Sequence, residues 1–406
     1  MRRSAVCALD IGSTKICAAV MEMPEDRRPR LVGLGVAPTR GVKRGVVVDL
    51  FGAVESIHQA LRDAEMILGE PISGVVVGIA GEHLKSLHSR GGISVAHSGL
   101  GISEQDLERA VAQARSVTLP NDREIFHTIP FEYVLDGQPG IKDPRGMSGF
   151  RLEADVHLVT GSTTAAQNLY RCVEKAEVEP YDLVLSILGA AETVLAPTEK
   201  QRGAVLLDIG GAATHMAVFL DGELLHTFVI PLGGGNVTND VAIGLRLEPP
   251  EAEELKKSFG VASSHLVDPE EVLVLPPSAG RGERKISHSI LATIIEPRME
   301  EIYGLALREL RSLGLTEFLT GGVVLTGGGG MMAGAARLAE EIFDLPARVG
   351  VPKGFGGSIE QAVNPQYATA VGLALYACGH QLGQRKPRGK VFGLFEKTMD
   401  WMKEYL

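Results

Sequence analysis

The chain has 406 residues, 45% of them hydrophobic and 5% aromatic, with a formal net charge of −10. That length allows two to four domains with ample cores, and the acidic balance argues against a nucleic-acid partner. No window reaches the ~18 uninterrupted apolar residues of a spanning helix. The two N-terminal arginines lead into a strand rather than the apolar run of a signal peptide. Four scattered cysteines, Cys7, Cys17, Cys172 and Cys378, lack both disulfide and metal-ligand spacing, so a cytosolic protein with reduced thiols is expected.

In chain order, Ala8-Leu-Asp10-Ile-Gly12-Ser13-Thr14-Lys15 sits between two apolar runs and predicts a β-hairpin with one carboxylate at its tip. An amphipathic helix follows over 50–68, then a buried strand over 75–79. From Gly81 to Thr160 the strand-helix rhythm is interrupted. A capping signal at Ser103 to Asp106 opens a helix there, and Pro120, Pro130, Pro139 and Pro144 punctuate the rest, as in an inserted α+β module. A helix over 163–176 closes the first half.

The second half repeats the plan. Asp208-Ile-Gly210-Gly211-Ala212-Ala213-Thr214 predicts a second carboxylate-tipped hairpin, with a strand over 224–230. Gly233-Gly234-Gly235-Asn236 leads into a helix over 237–244, and Pro249 opens another carrying Glu253 and Lys256 one turn apart. A long helix over 287–313 precedes a strand that runs into Gly327-Gly328-Gly329-Gly330. Helices over 333–343 and 365–378 and a polar linker complete the globular part.

Two such tips can face each other across a cleft and clamp a triphosphate with its metal. Asp10 and Asp208 supply hard oxygen ligands for Mg²⁺. Ser13, Thr14 and Thr214 offer hydroxyls to phosphates, and Lys15 a point charge. Gly210, Gly211, Gly233 to Gly235, Asn236 and Gly327 to Gly329 allow close backbone approach to phosphate or sugar. The extra methyls of Ala212 and Ala213 could reshape that turn. His127, His157, His215 and His288 show no ligand spacing and read as structural histidines with satisfied rings.

A duplicated, hairpin-led α/β unit around a cleft resembles the actin, Hsp70 and sugar-kinase superfamily. Within it, Gly81-Glu-His-Leu-Lys-Ser, Asp122-Arg-Glu-Ile-Phe-His127, Gly140-Ile-Lys-Asp-Pro-Arg-Gly-Met-Ser-Gly149, Thr160-Gly-Ser-Thr-Thr-Ala-Ala-Gln-Asn-Leu169 and Ile295-Glu-Pro-Arg-Met-Glu-Glu-Ile302 resemble the bacterial cell-division FtsA family. The resemblance implies an α/β, actin-like (ribonuclease H-like) fold with ATP and Mg²⁺ in the cleft. Its lobes would be 1–81 with 163–198, and 199–230 with 300–380. A self-association module over 82–162, a partner-binding subdomain over 231–299 and a linker over 381–388 complete the plan.

By the same resemblance Glu253 and Lys256 meet the ribose and adenine. Arg298, with Arg284 and Lys285 on the same subdomain, holds the C-terminal peptide of FtsZ. The chain would polymerise head to tail on the cytoplasmic face of the cell membrane at the division septum, with other division proteins as further partners. Hydrolysing relatives position water with a Glu or Gln near 184–191. Here that stretch offers only apolar residues and Ser186, with Glu192 beyond it, so turnover is expected to be slow or absent. A pilus-assembly adaptor of the same fold is the alternative, and a carbohydrate kinase a more distant one.

Residues 389–406 place Leu394, Phe395, Met402 and Leu406 on one helical stripe with Phe392 and Trp401 at its borders. From Arg385 onward six Lys/Arg stand against three Asp/Glu. Aromatics beside cations predict a helix lying on an anionic lipid surface.

Overall fold

A computed structural model of the chain describes residues 5–24, 28–95, 101–275 and 282–380. The first lobe opens with an antiparallel meander of β1 (Ala5–Ile11), β2 (Lys15–Glu22) and β3 (Arg30–Pro38). A ribbon of β4 (Val42–Lys43) and β5 (Val46–Val47) leads to α1 (Leu50–Leu68). Asp49 starts this helix by accepting the Phe51 N–H at 3.1 Å, and Gly69 ends it in the left-handed region. The helix carries the chain over to β6 (Gly74–Ile79), parallel to β1 and buried along its whole length. Continuous apolar residues suit that central position, covered on both faces.

The chain then leaves the lobe for β7 (Lys85–Ser94), α2 (Glu104–Arg115), β8 (Arg123–Leu135), β9 (Gln138–Ile141) and β10 (Arg151–Ser162). Their strands form one antiparallel sheet in the order β7-β10-β8-β9. Ser103 and Asp106 exchange side-chain bonds to each other's backbone N–H at the start of α2, as the sequence predicts. Leu107, Ala110, Val111 and Ala114 then bury one stripe of the helix in a core with Leu152, Val156 and Leu158. The return to the lobe runs through α3 (Thr163–Lys175), β11 (Glu179–Leu185), α4 (Ser186–Val194) and α5 (Pro197–Arg202).

The second lobe repeats the first. It contains β12 (Ala204–Ile209), β13 (Thr214–Leu220), β14 (Glu223–Ile230), α6 (Gly234–Leu245) and α7 (Pro249–Phe259). After these come β15 (Val272–Leu275), β16 (Arg284–Ser287) and α8 (His288–Ser312). The lobe ends with β17 (Gly322–Thr326), α9 (Gly327–Gly330), α10 (Ala335–Phe343) and β18 (Ala347–Val349). Its sheet order, β14-β13-β12-β17-β18, matches β3-β2-β1-β6-β11 of the first lobe strand for strand. Each sheet is three antiparallel strands followed by two parallel ones, with an aspartate near the end of the middle strand.

The closing helix, α11 (Ala368–Gly379), corrects one expected boundary. Sequence order assigns it to the second lobe, but it packs on the first. Val371, Leu373, Ala374 and Ala377 share one apolar cluster with Val6, Ala8, Ala19 and Met21. A helix that is apolar all round must be buried somewhere, and its pattern names no partner sheet. The seat depends on backbone contact with α4: a Cβ on Gly372 would lie 1.8 Å from the Gly189 carbonyl oxygen. Smaller shifts are local. α6 begins at Gly234 rather than at 237, and α10 at Ala335 rather than at 333.

His127 of β8 ties the inserted module to the first lobe, accepting the Leu185 N–H on Nε2 at 2.9 Å. Burial pushes its ring down to about 4, so it is neutral in the fold. Below pH 6.5 the unfolded imidazole takes up a proton before the folded one does. Its contribution is therefore complete above pH 6.5 and is lost as the pH falls towards 4. His127→Gln, which keeps an acceptor near the Nε2 position, should flatten the rise of unfolding free energy with pH across that window by about one proton per chain. Denaturant titrations at several pH values would measure this, and an unchanged slope would refute it.

Candidate functional site

The two hairpin tips meet. In the first, the Gly12 N–H donates to the Lys15 carbonyl at 3.0 Å, and the Thr39 hydroxyl braces the corner through the Gly12 carbonyl at 2.8 Å. In the second, the Gly210 N–H donates to the Ala213 carbonyl at 3.0 Å. A Cβ on Gly211 would stand 2.3 Å from the Thr14 methyl, so the tips touch and only glycine at 211 permits it. The approach brings Asp10 and Asp208 within electrostatic range. Burial raises the Asp10 carboxyl to about 6, Lys15 opposes the rise and Asp208 adds to it. Two partly buried carboxylates with too little positive charge beside them favour an added cation.

Asp208 is held from two sides. The Thr369 hydroxyl of α11 donates to Oδ2 at 2.8 Å, and a Cβ on Gly327 would lie 2.3 Å from Oδ1. Gly327 adopts φ +76°, and Gly328 beside it is exposed with open space where a side chain would project. The strand β17 thus ends in a glycine corner pressed onto the second carboxylate, which leaves room for a ligand's sugar or phosphate.

Gly233 to Gly235 fold onto the second tip. The N–H groups of Gly234 and Gly235 donate to the carbonyls of Gly210 and Gly211 at 2.8 and 2.7 Å. They therefore shape the tip rather than offer free donors to an anion, which revises their expected role. Asn236 is likewise engaged, its side chain accepting the Gly233 N–H at 3.0 Å. Glu253 and Lys256 do come together at the start of α6. The Lys256 ammonium donates to Glu253 at 2.6 Å, to Thr238 at 2.8 Å and to the Gly234 carbonyl at 3.0 Å. Burial opposes ionisation of Glu253, but Lys256 and Thr238 outweigh it and hold the carboxyl below its ordinary range.

Two expectations at the second tip are corrected. Thr214 is fully buried and its hydroxyl donates to the Leu232 carbonyl at 2.8 Å, so it offers nothing to a phosphate. Strand alternation could have shown this: Thr214 pairs with the core residue Ile209, whereas Asp208 pairs with His215. The Ala213 methyl is also buried, leaving Ala212 as the extra methyl at the corner. Burial keeps the His215 ring below its ordinary value against the pull of Asp208.

Ser13 and Lys15 are half-buried at the first tip, and the Lys15 ammonium lies 5.8 Å over the ring of Tyr367. Thr39, Tyr367 and Thr369 are site residues that no motif signals. At 184–191 the structure agrees with the sequence: Ser186 is buried, and Glu192 turns away to Lys200 at 3.3 Å.

Of the expected partner residues, Arg298 is engaged within the chain. It pairs with Asp240 of α6 at 2.7 and 3.1 Å and with Glu301. Arg284 donates to the Leu245 carbonyl at 2.8 Å. Lys285 is exposed opposite Val274, and Val272 and Val274 are 55% and 52% exposed on the same hairpin. His288 is satisfied, with Glu271 and the Phe259 carbonyl on its two nitrogens. His157 is not satisfied, because its buried Nδ1 lacks a partner. The tail residues Phe392, Leu394, Phe395, Trp401, Met402 and Leu406 lie outside the described residues. Among those described, no helix is long and apolar enough to cross a membrane.

Known proteins agree with this architecture. The family model "Cell division protein FtsA" matches residues 205–372, and "SHS2 domain inserted in FTSA" matches 81–160. The cell division protein FtsA of Pseudomonas aeruginosa is 41% identical over 93% of this chain and 90% of its own length. That of Bacillus subtilis is 37% identical over 94% and 86%. Among solved structures, a PilM-PilN type IV pilus biogenesis complex covers 92% of this chain and 98% of its own at TM-score 0.69 and 18% identity. MreB 5 of Spiroplasma citri bound to AMPPNP covers 93% and 96% at TM-score 0.56 and 14% identity. Both share the actin-like fold. On its sequence and its inserted domain together, the chain belongs to the FtsA family of cell division proteins.

Proposed function

We propose that this chain is an ATP-binding, actin-like adaptor that tethers FtsZ filaments to the cytoplasmic membrane and polymerises head to tail at the division septum. The observation that carries the nucleotide reading is the contact of the two tips, with Asp10 and Asp208 facing one cleft and Gly327 and Gly328 forming its open corner. The donor set suits a hard cation with a triphosphate. Asp10 and Asp208 would hold Mg²⁺, Lys15 and Ser13 would meet the phosphates, and the Glu253–Lys256 pair would border the ribose and adenine. The metal supplies charge neutralisation between the carboxylates and the phosphates. The solved relative MreB 5, in its AMPPNP-bound form, adds support from the same fold. With only apolar residues and Ser186 at 184–191, and Glu192 paired with Lys200, the ligand serves to close the cleft rather than to be consumed rapidly. Asp10→Asn should weaken Mg·ATP binding about tenfold or more, about 1.4 kcal/mol, while the apo protein remains folded. Calorimetry with and without Mg²⁺ tests this, and equal affinity would remove the assignment.

The peptide site is proposed on the β15–β16 hairpin. Exposed Val272 and Val274 beside Lys285 offer an apolar strip with a cation, chemistry suited to an acidic-apolar peptide such as the FtsZ C-terminus. Arg298, already paired with Asp240 and Glu301, contributes by holding α8 against α6. Lys285→Glu should cost at least about 1 kcal/mol of peptide affinity, as for a charge at an interface. Arg298→Glu should instead lower the melting temperature, by placing three acidic groups together. An unaltered dissociation constant for Lys285→Glu would remove the site from this hairpin.

Membrane attachment is proposed through the amphipathic pattern of 389–406. Cutting the chain after Arg388 should abolish co-sedimentation with anionic vesicles and leave ATP binding intact. Unchanged pelleting would overturn the anchor.

A further inference from the structure

A second cluster of polar side chains lies away from the cleft, where the inserted module meets the second lobe. His88 of β7 and His157 of β10 are cross-strand partners, and His226 of β14 faces them from the other lobe. The ring centroids are 5.4 Å apart for His88–His157, 5.9 Å for His88–His226 and 5.7 Å for His157–His226. One ring nitrogen from each lies within 4.8 Å of those of the other two.

The hydrogen bonds around the rings all fall on the same nitrogen. The His88 Nε2 lies 2.8 Å from the Leu225 carbonyl, the His157 Nε2 2.9 Å from the Thr227 hydroxyl, and the His226 Nε2 2.9 Å from the Glu309 carboxylate. A carbonyl and a carboxylate accept, which puts the proton on Nε2 of His88 and His226 and leaves their Nδ1 lone pairs available. His157 is fully buried, and its Nδ1 has no hydrogen-bond partner. Native interiors seldom leave such an atom without a ligand.

We propose that His88, His157 and His226 form a three-imidazole site for a divalent transition ion of the zinc class, which fastens the inserted module to the second lobe. Neutral imidazoles suit such an ion, and the outer bonds to Leu225, Thr227 and Glu309 are of the kind that orient metal-bound histidines. The rings would draw in to reach the ~2.0–2.1 Å of a zinc–nitrogen bond, and the exposed His88 is the one with room to move. Of the three, His226 also lines a cavity of about 360 Å³, together with Glu309, Glu82 and Lys85, so the cluster borders open space on the His226 side. This site is independent of the nucleotide reading.

The test uses the full chain, stripped with chelator and kept in excess Mg²⁺ without nucleotide, titrated with Co²⁺ and then Zn²⁺. One Co²⁺ per chain should bind with the intense visible bands of a four-coordinate ion, and Zn²⁺ should displace it. His88→Gln and His226→Ala should each weaken binding about tenfold or more, while His265→Ala, remote from the cluster in sequence, should not. Because His88 is exposed, His88→Gln decides the matter if His226→Ala fails to fold. Absence of saturable uptake, or saturable uptake unchanged in His88→Gln, would overturn the site.

Discussion

Two carboxylates of like charge come within range of each other because the Thr14 methyl can lie against a glycine at 211. That contact fixes how closely the lobes approach and makes one cleft of two equivalent hairpins far apart in the sequence. Its electrostatic cost is visible in Asp10, whose carboxyl is raised by burial and by Asp208. The structure relieves only part of the strain. Thr369 donates to Asp208, and Lys15 stands near Asp10 but is shared with the ring of Tyr367. A cleft that keeps two anions short of countercharge gains more from a bound cation than one already neutralised.

The supports of the cleft come from all parts of the chain. Thr39 braces the first tip from the end of β3, and Gly234 and Gly235 hold the second through its carbonyls. Thr369 reaches Asp208 from a helix whose apolar residues pack on the first lobe. α11 is thus rooted in one lobe and bonded to the carboxylate of the other. A change in the angle between the lobes would alter the Thr369–Asp208 distance directly, so occupancy of the cleft and the seat of α11 act on one another.

How much the sequence discloses depends on how local each feature is. The tips, the repetition of a hairpin-led unit and the capping of α2 were legible, because alternation, glycine corners and a Ser-x-x-Asp pair act within a few residues. Thr214 reads the wrong way: its hydroxyl invites a phosphate, whereas its pairing with the core residue Ile209 turns it inward. The seat of α11 was not legible, since a helix buried on every side has no polar face to give its orientation. The pairing of Arg298 was only half legible: Glu301 stands one helical turn away, but Asp240, which takes two of its hydrogen bonds, is 58 positions away. The histidine cluster was hidden for the same reason. Its members stand on two strands of the inserted module and one of the second lobe, and metal-ligand spacing rules register only neighbours along the chain.

The inserted module therefore has two attachments. Through the chain, and through His127 on Leu185, it belongs to the first lobe. Through Ser86 on the Thr227 carbonyl at 2.5 Å, and through His88 on Leu225, it leans on the second. The tips form one bridge between the lobes and this contact forms another, in parallel. A ligand that draws the tips together also loads the β7–β14 contact, and anything that fastens that contact limits the angles the cleft can adopt. Thermodynamic linkage makes the influence equal in both directions. If the module serves in the proposed self-association, it would report the state of the cleft without touching a ligand there, because β14 belongs to the same sheet that carries Asp208.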